Sequence, residues 1–68
     1  MTEHVYKSVE ITGSSEAGLQ QAIDNALAKA GKTLRNIDWF EMTAVRGHVE
    51  DGRIAHVQVT LKVGFRLD

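Results

Sequence analysis

The chain has 68 residues and a mass of 7.5 kDa, so we expect a single domain over residues 1–68. A domain this small buries only about 60% of the surface of its unfolded chain and usually needs disulfides, a metal or self-association for stability. Cysteine is absent, which excludes disulfides and thiolate metal sites. The three histidines, His4, His48 and His56, show no spacing typical of metal ligands, so we expect no metal and predict self-association.

The charge balance and the hydropathy pattern exclude two further classes of partner. Eight Lys and Arg residues against nine Asp and Glu residues give a formal net charge of −1. A general nucleic-acid-binding protein needs a basic surplus, so we expect no nucleic-acid partner. No apolar run approaches about 18 residues and nothing resembles a signal peptide. We therefore expect a soluble, cytoplasmic protein with no membrane partner.

The first two predicted elements are a strand and a helix. Apolar and polar residues alternate over residues 5–12, which predicts a strand. The Gly-Ser-Ser sequence at 13–15 interrupts the alternation, and we expect one of its serines to cap the helix that follows. Apolar residues then recur at three- and four-residue spacing from Leu19 to Leu34, which predicts an amphipathic helix. Gly31 favours an early end or a frayed last turn of this helix.

Two more strands are predicted in the second half of the chain, joined by a two-residue turn. Residues 39–50 and 53–67 alternate, and Asp51-Gly52 between them is typical of a type I′ hairpin turn. The turn sets Glu50 opposite Arg53, so that the numbers of paired residues add up to 103. This register predicts three apolar cross-strand pairs: Phe40 with Val63, Met42 with Leu61, and Ala44 with Val59.

The element order β-α-β-β predicts an α+β fold, in which one helix packs on the apolar face of a three-stranded sheet. The third strand is expected in the middle, because only that placement makes the sheet wholly antiparallel. A β-bulge near Gly47 would shift the pairing in part of the hairpin.

Trp39 is the unusual residue of the other, polar face of the predicted sheet. An indole exposed on a polar face usually marks an interface or a platform for a ligand. The alternative is that Trp39 folds over the rim of the sheet and packs on a neighbouring residue. The predicted register sets Gly64 opposite Trp39, which leaves the indole uncovered and leaves room for a flat aromatic ligand.

Gln58 is the second candidate binding residue. Its amide can match the imide or amide edge of a ligand, although alternation alone also supplies a solvent-facing polar residue here. The predicted register sets Gln58 opposite Val45, six rows from Trp39, or about 20 Å at the usual rise of a strand. A site that used both side chains would therefore have to lie between subunits.

The remaining polar residues have simpler interpretations. Arg46 and Arg66 are interpreted as solvated side chains, with phosphate binding as the alternative. The helix dipole accounts for a cationic stripe near the helix end, which would also suit a phosphorylated ligand; it is formed by Lys29, Lys32 and Arg35. His56 is predicted on the polar face and His48 on the opposite face, which excludes a metal pair. We find no arrangement of nucleophile, acid and base, and so predict no catalytic residues.

Four motifs together form a more specific pattern: Asp38-Trp39-Phe40-Glu41, Arg46-Gly47, Gln58, and Val63-Gly64-Phe65-Arg66-Leu67. With this pattern the chain resembles the dodecins, and above all their bacterial members, over essentially its whole length. Ser14, where threonine is common, and Gly31, within the helix, depart from the family pattern. The resemblance implies a hollow homododecamer that binds, stores and sequesters flavin. The expected flavin is FMN, with riboflavin and FAD as alternatives.

The resemblance also implies site residues. The tryptophan that Trp39 matches stacks on the isoalloxazine ring and quenches its photochemistry, and the glutamine that Gln58 matches binds the polar edge of the ring. Arg46 matches a residue that holds the flavin tail, and Asp38 and Arg66 match residues that line the pocket. Some bacterial members carry coenzyme A at a second site, whose neighbourhood is matched by Tyr6, Lys29, Thr33, Leu34 and Arg35.

The sequence leaves three functions to compare. The first is a flavin-binding oligomer without catalytic activity. The second is a structural or interaction module, in which Trp39 joins subunits and no cofactor is bound. The third is a flavin-dependent enzyme, for which the sequence offers no acid, base or nucleophile beside the expected ring position. We expect the first.

Overall fold

The computed structural model describes residues 3–67 as one sheet and one helix. The elements in chain order are β1 (Val5–Ser15), α1 (Leu19–Ala30), β2 (Ile37–Glu50) and β3 (Arg53–Leu67). The sheet is antiparallel throughout, in the order β1-β3-β2. The predicted α+β fold, with the third strand in the middle, is confirmed. Among residues 3–67, no helix is long and apolar enough to cross a membrane.

The connection from β1 to the helix differs from the prediction. β1 does not end at residue 12 but continues to Ser15, which pairs with Val57 of β3. The predicted serine cap is wrong, because the N-cap residue is Gly18 at a φ of 118° and no side chain among residues 3–67 caps the helix. Ser15 instead shapes the turn before the helix, where its Oγ accepts a hydrogen bond from the Ala17 N–H at 2.9 Å.

The predicted end of the helix at Gly31 and the predicted hairpin turn at Asp51-Gly52 are confirmed. The helix ends at Ala30, and Gly31 follows it as the C-cap residue. Leu34 lies beyond the helix and is partly buried against the core. Asp51 and Gly52 have φ values of 51° and 75°. Positive φ at both central positions is the requirement of a type I′ turn.

The helix packs very closely on β1 and β3. A Cβ atom on the buried Gly13 of β1 would lie 2.5 Å from the carbonyl oxygen of Ala22 and 2.7 Å from the Cβ of Ala26. Only glycine permits this approach of strand and helix. The buried core consists of small helix residues and larger β3 residues, namely Ala22, Ala26, Ala30, Val59, Leu61 and Val63.

β2 lies outside this packing. Within residues 3–67 the helix contacts β1 and β3 but not β2, and every residue of β2 is exposed. Its side chains opposite the core of β3 form an uncovered surface, the β2 apolar face, which consists of Phe40, Met42 and Val45 with 46–49% exposure. The radius of gyration is 14.2 Å, against about 11 Å for a compact chain of this length. The hairpin therefore extends beyond the helix-covered core.

A β-bulge at Thr43 changes the register of the hairpin. The predicted pairing holds for Phe40 and Met42, but Ala44 then pairs with Thr60 rather than with Val59. The predicted Ala44–Val59 pair is therefore wrong. Because a slip of one residue moves side chains to the other face of a sheet, Ala44 lies on the polar face and not on the apolar one.

A second bulge, at Ala55 of β3, restores the predicted pairing next to the turn. His48 still pairs with His56, whereas Val49 already pairs with Ile54. The shifted register is thus confined to residues 44–48 of β2. The sequence predicted one bulge near Gly47, whereas the structure has two, one at Thr43 before Gly47 in β2 and one at Ala55 in β3.

Candidate ligand-binding site

Trp39 lies on the polar face of the sheet, directly over its predicted cross-strand partner Gly64. A Cβ atom on Gly64 would overlap the Cε2 and Cζ2 atoms of the indole. Glycine is therefore the only residue that lets the ring lie against the strand. Trp39 is 41% exposed and does not belong to the hydrophobic core. The indole thus has backbone beneath it and part of its aromatic surface open to solvent.

We expect Gly64→Ala to displace the indole, because the added methyl group takes up the space of the ring. Trp39 is the only tryptophan of the chain, so its fluorescence and near-UV circular dichroism report directly on this contact. We expect both spectra to change while the far-UV spectrum stays the same. Gly47→Ala adds a methyl group to another strand glycine and serves as the control. Unchanged near-UV spectra for Gly64→Ala would contradict the contact.

Asp38 and Arg66 lie close to Trp39, where β2 begins. Asp38 is the unpaired residue of a further bulge. Both residues line a shallow depression of about 210 Å³ together with Asn36 and Ile37. Backbone hydrogen bonds close this end of the sheet, since the Arg66 N–H donates to the Asn36 carbonyl at 3.2 Å. A carboxylate and a guanidinium are thereby placed at the end of the sheet that carries the indole.

Arg46 and Gln58 are brought together by the bulge at Thr43. They are cross-strand partners, whereas the sequence predicted Val45 opposite Gln58. Cross-strand partners share a face, so both side chains lie on the polar face. They line a depression of about 260 Å³, which also includes Gly47, His48 and His56. A guanidinium and an amide side by side offer the donors and the acceptor that an imide edge or a phosphate requires.

The two groups of candidate residues lie far apart on the polar face. Gln58 and Gly64 are six residues apart in β3, or about 20 Å at the usual rise of a strand. Gly64 is the residue on which the indole of Trp39 lies. One chain cannot bring both groups to one small ligand. A ligand that contacts both must therefore be shared by at least two copies of the chain.

The residues expected around a second ligand line two depressions near the end of the helix. Lys29 and Thr33 line one of about 350 Å³ between α1 and β1. Thr33, Leu34 and Arg35 line another of about 250 Å³, to which Arg66 also contributes. Tyr6 is exposed on β1 and pairs with Arg66. Thr33 lines both depressions, whereas Tyr6 lines neither.

The prediction that His48 and His56 lie on opposite faces is wrong. They are cross-strand partners, and their rings are stacked with centroids 5.4 Å apart and an interplanar angle of 19°. The bulge at Thr43 is the reason, because it moves the side chain of His48 to the polar face. The sequence therefore predicted neither this pair nor the pairing of Arg46 with Gln58.

Comparison with known proteins gives consistent results. A sequence model of the family Dodecin matches residues 5–68. A dodecin from Thermus thermophilus is 53% identical over 64 residues, which are 94% of this chain and 93% of that protein. The solved dodecin from Streptomyces davaonensis has 54% identity and a TM-score of 0.92, with 98% of each chain covered. The dodecin from Streptomyces coelicolor has 53% identity and a TM-score of 0.92, with 100% of this chain and 97% of that chain covered.

Proposed function

This chain belongs to the dodecin family, and we propose that it is a flavin-binding protein that stores and sequesters FMN without catalysing a reaction. The observation that carries this proposal is the indole of Trp39, which lies on Gly64 and is 41% exposed. Such an arrangement suits a flat aromatic ligand that stacks on the open side of the ring. Riboflavin and FAD contain the same ring system and are the alternatives to FMN.

The residues of the polar face fit an isoalloxazine ring and a phosphorylated tail. Stacking on the indole of Trp39 contributes about 1–3 kcal/mol. Gln58 offers both a donor and an acceptor to the polar edge of the ring, and Arg46 beside it offers paired donors to a phosphate. Bound flavin supplies a light-absorbing, redox-active ring, and a stacked indole can give an electron to the excited ring and regain it. Trp39 would thereby quench the flavin without net reaction.

We propose that the binding unit is a homododecamer, with flavins held where chains meet. The separation of about 20 Å between the Trp39 and Gln58 groups supports a site shared between chains. The uncovered β2 apolar face supports contact with further copies, because a monomer rarely leaves such a surface in water. We propose the number twelve from the resemblance to the family.

Solved structures of variants of a relative support the inclusion of Trp39, Arg46 and Arg66 in this proposal. Three structures of the Thermus thermophilus dodecin carry replacements of one tryptophan or of one of two arginines. In that protein the first arginine follows the tryptophan by 7 residues, and the second arginine follows the first by 20. Trp39, Arg46 and Arg66 have the same spacing here, 46 − 39 = 7 and 66 − 46 = 20.

We include coenzyme A in the proposal as a second ligand near the end of α1. Two depressions meet there at Thr33, and the cationic side chains of Lys29 and Arg35 border them. The cationic side chains suit the phosphates in the nucleotide part of coenzyme A. A cytoplasmic location, with neither nucleic acid nor membrane as a partner, belongs to the same proposal.

Titration of FMN with the protein tests the proposed function. We expect flavin fluorescence to be strongly quenched, and we expect the visible absorbance of the flavin to co-elute in size exclusion with a particle far heavier than the 7.5 kDa chain. Full flavin emission at saturating protein would contradict flavin binding. A large particle without bound flavin would instead support the alternative in which Trp39 only joins subunits.

A further inference from the structure

His48 and His56 form a pair of imidazoles on neighbouring strands, close to the hairpin turn. Their ring centroids are 5.4 Å apart. The side chain of His48 is 56% exposed and His56 is half-buried, so both rings are accessible from the polar face. Neither residue is part of the hydrophobic core.

We propose that this pair binds a divalent transition metal ion of the kind that imidazole prefers, namely Cu²⁺, Ni²⁺ or Zn²⁺. An imidazole nitrogen binds such an ion at about 2.1 Å, which places the centroid of the ring about 3.2 Å from the metal. Two centroids 5.4 Å apart then correspond to an angle of about 115° at the metal, close to the tetrahedral angle that Zn²⁺ takes in proteins. The nearly parallel rings must rotate about χ2 to direct one nitrogen each at the ion, and the exposure of His48 permits this.

The pair supplies two ligands, and water completes the coordination. Over residues 3–67, no group of three or more His, Cys, Asp or Glu side chains is arranged to hold a metal ion, so the site is open. The Oε1 atom of Glu50 lies 3.6 Å from the Nε2 atom of His48. This carboxylate favours a cation held nearby. Arg46 lines the same depression and opposes the cation, so we expect moderate rather than tight binding.

The test uses Cu²⁺ alone, added to the flavin-free full chain. We expect one ion per chain and an electron paramagnetic resonance spectrum with hyperfine coupling to two imidazole nitrogens. His48→Gln and His56→Gln should each weaken binding by about a hundredfold, because a pair of linked ligands becomes a single one. His4→Gln removes the third histidine, which lies outside the pair, and serves as the matched control with unchanged binding.

Equal Cu²⁺ affinity in the parent and in the His48→Gln/His56→Gln double variant would overturn the proposal, and so would a loss of binding caused by His4→Gln. A second measurement needs no variant. Zn²⁺ titrated into the parent chain should shift the imidazole proton resonances of His48 and His56 in nuclear magnetic resonance spectra, but not those of His4. Equal shifts of all three histidines, or no shift at all, would also overturn it.

Discussion

Trp39→Ala is expected to weaken FMN binding by about 10- to 100-fold and to abolish most of the fluorescence quenching. The loss follows from the stacking energy of one aromatic ring, about 1–3 kcal/mol. The side chain lies on the polar face over Gly64, away from the β2 apolar face, so we expect the assembly to persist. Fluorescence titration with FMN measures the affinity, and size exclusion with light scattering measures the assembly.

Trp39→Phe is the matched control, because phenylalanine keeps a flat ring over Gly64. We expect it to retain more affinity than Trp39→Ala and to quench less than the parent, since benzene is a poorer electron donor than indole. Binding of FMN to Trp39→Ala as tight as to the parent would contradict the stacking. Dissociation of the particle in Trp39→Ala would favour the interaction module over the flavin-binding protein.

Val45→Lys is expected to dissociate the proposed assembly into single chains or small oligomers. Val45 is 49% exposed on the β2 apolar face, opposite the fully buried Val59. In the single chain a lysine stem can lie along this surface with its ammonium in water. If other copies cover the face, the ammonium becomes buried without a partner, which costs several kcal/mol at each repeated interface. The mass from light scattering is the measurement.

Ala28→Lys is the control for Val45→Lys, because Ala28 is exposed on the helix. Both substitutions replace a small apolar side chain with lysine. We expect it to leave the mass of the particle unchanged. Far-UV circular dichroism of both variants checks that the fold is retained. A Val45→Lys particle of the same mass as the parent would show that the β2 apolar face is not an interface.

The fold was predictable because its signals are local in the sequence. Alternation of apolar residues gives the strands, and three- and four-residue spacing gives the helix. Asp51-Gly52 defines the hairpin turn and Gly31 ends the helix. The helix start was not predictable from Ser14 or Ser15, because Gly18 is the N-cap and takes a positive φ without any side-chain hydrogen bond.

The candidate site was predictable only in part, and the two bulges explain why. Those at Thr43 and Ala55 lie on opposite strands, so each cancels the shift of the other. Pairing counted from the turn is therefore right again at Trp39 and Gly64. Between the bulges it is wrong, and the partner predicted for Gln58 was wrong for that reason.

A sequence signal for the bulge does exist. Phe40 and Met42 are apolar at even positions, whereas Val45 and Val49 are apolar at odd positions. This change of phase indicates one extra residue in the strand. Ala44 hides this change of phase, because alanine is tolerated on either face of a sheet. The uncovered β2 apolar face has no such signal, since the sequence does not specify how far one helix reaches across a sheet.

The two bulges determine which side chains in the middle of the hairpin lie on the polar face. Within residues 3–67, Thr43 and Ala55 have no cross-strand partner, so deleting both would keep every pair and leave Arg46 and His48 on the polar face. Moving the extra residue to another position of β2 would instead turn the side chains between its old and its new position to the other face. The position of each bulge, and not the length of the strands, therefore decides which side chains residues 44–48 present to a ligand, while Trp39 stays over Gly64.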